Sequence, residues 1–183
     1  MAGVLRGADQ LLFGLEDVRR GCERGLRSVL VADLGLLWAL ARLKASGDLP
    51  NDLIIKVSVQ LPVANPATAR VLEDLGATTL NLPPDLALGQ IAAIRAAVDA
   101  PIDMYVEAPD DLGGTMRHYE IPDLVRIAAP IYLKFTVRNS PGLYPSGGHI
   151  EPLVLALAAE RVRRASIGIA LLRRHYPEAV MSP

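Results

Sequence analysis

Three charged side chains interrupt apolar runs at alternating positions. They are Lys56 in Leu53-Ile-Ile-Lys-Val-Ser58, Asp103 in Ile102-Asp-Met-Tyr-Val-Glu107 and Lys134 in Ile131-Tyr-Leu-Lys-Phe-Thr-Val137. Alternation in a strand sends neighbouring side chains to opposite faces, so these residues share the face that the apolar set does not use. An unpaired buried ammonium or carboxylate costs several kcal/mol or shifts its pKa. The three either pair structurally, or one lysine is a desolvated nucleophile. On the second reading Lys134, between Tyr132 and Thr136, attacks a carbonyl as the Schiff-base group of a lyase.

A second group lies where the same runs end. Glu107 opens the stretch Glu107-Ala-Pro-Asp-Asp-Leu-Gly-Gly-Thr-Met-Arg-His-Tyr-Glu120, which carries Asp110, Asp111, a Gly-Gly hinge, Arg117 and His118. Arg138 and Asn139 open the stretch that ends in His149-Ile-Glu151. Long segments of this kind in compact folds are commonly functional. Glu107 is a candidate general base or metal ligand, with His118 and His149 as catalytic partners. Arg117, Arg138 and Asn139 are candidates for holding an anionic substrate group. Asp33, Gln60 and Asn81 end other runs and join the substrate-binding set, although Asp33 serves equally as a helix N-cap and Asn81 as a turn former. Two histidines and a carboxylate would suit a divalent cation, but neither histidine lies in a ligand-spaced motif, so no metal or other cofactor is expected.

The elements that must position these residues follow from hydrophobic periodicity. Short β-rich runs, Ser28–Ala32, Leu53–Ser58, Ala77–Leu82, Ile102–Glu107 and Ile131–Val137, recur about every 25 residues. Helical patterns lie between them at Gly35–Ala45, Asn65–Leu75, Asp85–Val98 and Ile121–Ala129. Leu15–Arg24 precedes the first run, and Glu151–His175 reads as one long or two short helices. Strands separated by single helices imply a parallel sheet. With no G-x-G-x-x-G turn and with even spacing, the pattern favours a partial (β/α) TIM-type barrel of about five parallel strands over an open doubly wound sheet. A closed barrel of this kind has eight strands, so the expectation is one partial-barrel domain over residues 1–183 that lacks N-terminal βα units. Active sites of such barrels lie at the C-terminal strand ends.

Composition limits the classes. The chain has 183 residues, is 51% hydrophobic but only 4% aromatic, and carries a net charge of −1. That balance argues against a nucleic-acid partner, and the arginine clusters at 161–164 and 173–174 read as exposed helix faces. No leader pattern or apolar span is evident, so a cytoplasmic protein without a membrane partner is expected. The single cysteine, Cys22, allows no internal disulfide. Unpaired edges of an incomplete barrel would favour self-association, so a homo-oligomer, even a non-catalytic one, is an alternative to an enzyme acting on a small or peptide-like substrate.

Several stretches resemble the collagenase-like peptidase family, also called unclassified peptidase family thirty-two. They are Val29-Leu-Val-Ala-Asp-Leu-Gly-Leu-Leu37, then Lys56-Val-Ser-Val-Gln60 with Asn65, then Leu75-Gly-Ala-Thr-Thr-Leu-Asn-Leu82, and finally Glu107 at a strand end. The resemblance implies a (β/α) barrel, a hydrolase, and Gln60, Asn65 and Glu107 as pocket positions. Several members are similar to RNA or quinone hydroxylation factors that hold an iron–sulfur cluster through cysteines following that glutamate. Here Ala-Pro-Asp-Asp-Leu-Gly-Gly follows, with no cysteine, so the cluster-dependent role does not carry over.

Overall fold

Val31, Ile55, Val57, Leu80, Ile102, Met104 and Val106 are apolar at alternate strand positions, and all are buried. They form one face of a parallel sheet, and helices cover that face. The computed structural model describes residues 4–143 and 147–182. Its strands are β1 (Ser28–Val31), β2 (Ile54–Val57), β3 (Thr79–Asn81), β4 (Ile102–Glu107) and β5 (Ile131–Phe135). They pair in consecutive order and in parallel throughout. The connecting helices are α2 (Leu34–Ser46), α3 (Pro66–Asp74), α4 (Leu88–Arg95) and α5 (Ile121–Ala128), with α1 (Gly7–Glu23) before β1 and α6 (Glu151–His175) after β5. Consecutive order with one helix per crossover is the winding of a (β/α) barrel, and the chain is a partial barrel of five parallel strands.

Local chemistry sets most boundaries. Asp33 caps α2 by accepting from the Leu36 N–H, and Asn65 caps α3 by accepting from Thr68 N–H ahead of Pro66. Gly76, at φ +104°, turns the chain from α3 toward β3; a Cβ there would lie 2.4 Å from Ala41 Cβ, so the turn also needs the absence of a side chain.

Three sequence expectations change. The expected start at Asp85 gives way to a start at Leu88, where the Gln90 side chain accepts from the Ala87 N–H. The segment before it is a turn held from elsewhere in the chain, as described below. α1 begins at Gly7 rather than Leu15, whereas α6 takes the single-helix form of the two alternatives. Most strands are shorter than the apolar runs, because their ends pass into turns.

Candidate functional site

The face opposite the helices is polar at its centre. Lys56 Nζ lies 3.2 and 3.4 Å from the two Asp103 carboxylate oxygens, and Thr79 Oγ1 donates to Asp103 Oδ2 over 2.6 Å. Lys134 Nζ stands farther off, at 3.6 Å. With its amide oxygen turned toward Lys134, Asn81 accepts from that ammonium at 3.0 Å and donates to the Asp103 carbonyl at 3.2 Å. Lys134 Nζ also lies 5.5 Å from the centre of the Tyr105 ring, and Lys56 Nζ 4.4 Å from that of Tyr132. Asp103 is buried, while the Lys56 and Lys134 side chains keep 25% and 27% exposure. The expected charge set is therefore assembled, with two ammonium groups around one carboxylate. Burial, assisted by the Lys56 charge, holds the Lys134 ammonium below the usual lysine range against the opposing pull of Asp103. Burial likewise raises the Tyr105 phenol, and the Arg161 charge acts in the other direction.

A second cluster occupies the C-terminal end of β4. Glu107 is fully buried and accepts on Oε1 from the Arg138 N–H at 3.1 Å and from the Arg164 guanidinium of α6. His118, with its hydrogen on Nε2, donates to Oε2 over a long 3.4 Å and keeps Nδ1 as an acceptor. Its ring meets Phe135 edge-on at 5.7 Å. Burial alone would raise the Glu107 pKa, but Arg164, the Arg138 N–H and His118 outweigh it and hold the carboxyl below its usual range. A carboxylate so enclosed is a poor general base. The His118 side chain, 20% exposed, is the member of the pair that substrate can reach.

The loop after β4 is ordered rather than hinged. It doubles back through Ala108 N–H to Thr115 O at 2.9 Å and Arg117 N–H to Val106 O at 2.7 Å. Gly113 and Gly114 take φ of +90° and +60°, and Arg138 packs so close to Gly114 that a Cβ would lie 2.9 Å from its guanidinium. Asp110 accepts from Arg138 Nε at 2.8 Å and from the Asn139 N–H at 2.7 Å, and these contacts hold its carboxyl below the usual range. Asn139 thus contributes its backbone, at φ +55°, to a loop clasp.

Other expected site residues have structural duties. Arg117 is buried, and its guanidinium makes four hydrogen bonds: to the Pro84 and Leu86 carbonyls and, twice, to Glu120. It pins the turn before α4, and its donors are committed there rather than to a substrate. Asp33 holds the Leu5 N–H as well as its own helix start. Gln60 and Asn65 are exposed in and after the β2–α3 turn, and His149 is exposed in a short turn preceding α6. None of the three hydrogen-bonds to the Glu107 cluster among the described residues. Residues 144–146 of the second loop lie outside the described residues.

Sequence reasoning missed Arg164, which it placed on an exposed helix face; a counter-ion arriving from a distant helix leaves no local spacing signal. Among the described residues no three His, Cys, Asp or Glu side chains converge as a metal site. Cys22, the sole cysteine, is buried in α1, so the residues do not fit a cysteine-held iron–sulfur cluster. None of the helices described is long and apolar enough to cross a membrane.

The consecutive parallel strands with one helix per crossover define the chain as a (β/α)-barrel-type protein. Residues 5–108 match Peptidase family U32, and the chain belongs to that family. No curated protein matches. Among solved structures the chain is similar to the U32 peptidase Mk0906, at 25% identity over 56% of this chain and 40% of that one, with a TM-score of 0.47. It is also similar to nitroalkane oxidase from Streptomyces ansochromogenes (20% identity, 68% of this chain, 35% of that one, TM-score 0.41) and to the YdjI aldolase from Escherichia coli K12 (11%, 90%, 64%, 0.49). The chain thus spans less than half the length of the first two.

Proposed function

We propose that this U32-family chain is a hydrolase of small or peptide-like substrates whose site lies at the C-terminal strand ends and whose proton-transfer group is His118. The observation that carries this reading is the pairing of an enclosed, ionised Glu107 with a reachable imidazole. Glu107 orients the ring and faces the positive charge the ring takes on during the reaction, as a carboxylate does behind a catalytic histidine. His118 Nδ1 takes a proton from water, the hydroxide bonds to the substrate carbonyl carbon, and the bond to the leaving group breaks as His118 returns the proton. Arg138 is tied to Asp110 through Nε, and its terminal nitrogens, which make no hydrogen bond among the described residues, would hold an anionic group.

The test is hydrolysis of p-nitrophenyl esters and blocked dipeptide amides. H118Q should lower kcat by about 100-fold or more with little change in KM. An unchanged rate in a folded H118Q protein refutes the reading.

The excess of cation around Asp103 favours a second reading, in which Lys134 is the covalent nucleophile of a lyase. Two ammonium groups share one carboxylate, and Lys134 is the one held beyond hydrogen-bond distance from it. The simplest relief is a neutral Lys134 amine, which is the reactive form.

A further inference from the structure

The chain contains only three lysines, Lys44, Lys56 and Lys134, and its other cations are arginines. Lys44 donates to the Leu53 carbonyl beside β2. The other two both border Asp103 on the polar sheet face. Arginine carries charge elsewhere in the molecule, but it cannot lose a proton or form an imine, whereas lysine can do both. Tyr105 stands opposite Lys134 in the β4–β5 register. Arg161 of α6 is near enough for its charge to act on the Tyr105 phenol, and its Nε is buried with no hydrogen-bond partner among the described residues. A buried guanidinium N–H without an acceptor is costly, and a carboxylate would satisfy it. A lysine amine and an unsatisfied guanidinium thus both neighbour one tyrosine.

We infer that the Lys134 site takes small α-keto acids, with the carbonyl carbon at Lys134 and the carboxylate at Arg161; this rests on the reading of Lys134 as a nucleophile. The neutral Lys134 nitrogen bonds to the carbonyl carbon, the oxygen takes one proton from that nitrogen and a second from the Lys56 ammonium across Asp103, which borders both lysines, and the C–O bond breaks as water leaves a protonated imine. Solvent restores the Lys56 proton. Nothing is oxidised or reduced in the step.

Borohydride trapping with pyruvate, and separately with the neutral aldehyde propanal, followed by peptide mass spectrometry, tests both levels. Pyruvate should attach at Lys134 in preference to Lys44, Lys56 and the amino terminus. R161Q should raise the half-saturating pyruvate concentration by about ten-fold or more and leave propanal trapping unchanged. K134R, which keeps the charge, should abolish both adducts. If propanal traps at Lys134 as readily as pyruvate and R161Q changes neither, the keto-acid inference fails while the nucleophile stands. If neither compound attaches to Lys134 in the folded wild-type chain, both fail.

Discussion

Replacing Asp103 by asparagine keeps the size of the side chain and removes the one negative charge between two ammonium groups. In the native chain the contacts at 3.2 and 3.6 Å span the range in which an ion pair, at an effective dielectric constant near 20, has a gross attraction of about 4–5 kcal/mol. Desolvation offsets much of that, and both lysines keep about a quarter of their surface in water, so D103N should cost a net ~2–4 kcal/mol at neutral pH. The pH dependence carries more information than the magnitude. The folded pKa of Lys134 is below its ordinary value of 10.5, so between the two values the unfolded chain binds more protons and native stability rises with pH. Removing Asp103 deletes the contribution that opposes this lowering, which widens the window. The stability gap between wild type and D103N should therefore shrink as pH rises from neutrality toward the ordinary lysine value of 10.5. Urea unfolding followed by far-ultraviolet circular dichroism is the suitable assay, because the single tryptophan, Trp38, is exposed in the native state. A gap that stays constant or grows with pH would refute the charge argument.

Two stability predictions rest on other parts of the structure. G76A should cost about 2–4 kcal/mol, combining a positive φ with the clash on Ala41, whereas G47A, at φ +85° with open space around it, should cost only about 1 kcal/mol; equal losses in urea titrations would contradict the packing argument. Glu107 is held below its usual value of 4.5, so its stabilisation is fully present above that value and is lost as pH falls through the lowered one. E107Q should therefore be less stable at neutral pH and show a flatter loss of stability on acidification, measured as the urea midpoint between about pH 6 and about pH 2.

Strand faces were the most legible part of the sequence, because alternation acts within a few residues. Lys56, Asp103 and Lys134 could be assigned to one face from their own neighbours, and the structure brings them together. Helix caps at Asp33 and Asn65 are equally local. Arg117 shows where such reasoning stops: its side chain reaches back to the Pro84 and Leu86 carbonyls, and no periodicity encodes a contact across that span. The same distance problem hid Arg164 and delayed α4 to Leu88. Glu107 stands out by its strand-end position, but the groups that enclose its carboxylate come from the segment after β5, from the loop after β4 and from α6, and no local spacing encodes them.

The Arg164 guanidinium is shared between Glu107 in the sheet and Glu160 one turn away on its own helix. Losing the Glu107 partner therefore leaves the helix internally paired but loosens its attachment. The helix is then held by a small apolar cluster around Leu172, by the close approach of Gly168 to Phe135 and Ile121, and by the Arg126 hydrogen bond to the His175 carbonyl, while Leu155 and Val162 lie open to solvent. Hydrogen exchange should therefore divide the molecule into two cooperative units, with the amides of α6 opening together at a lower free energy than those of β2 to β4. The protonation state of one buried carboxylate would set how far apart those two free energies lie.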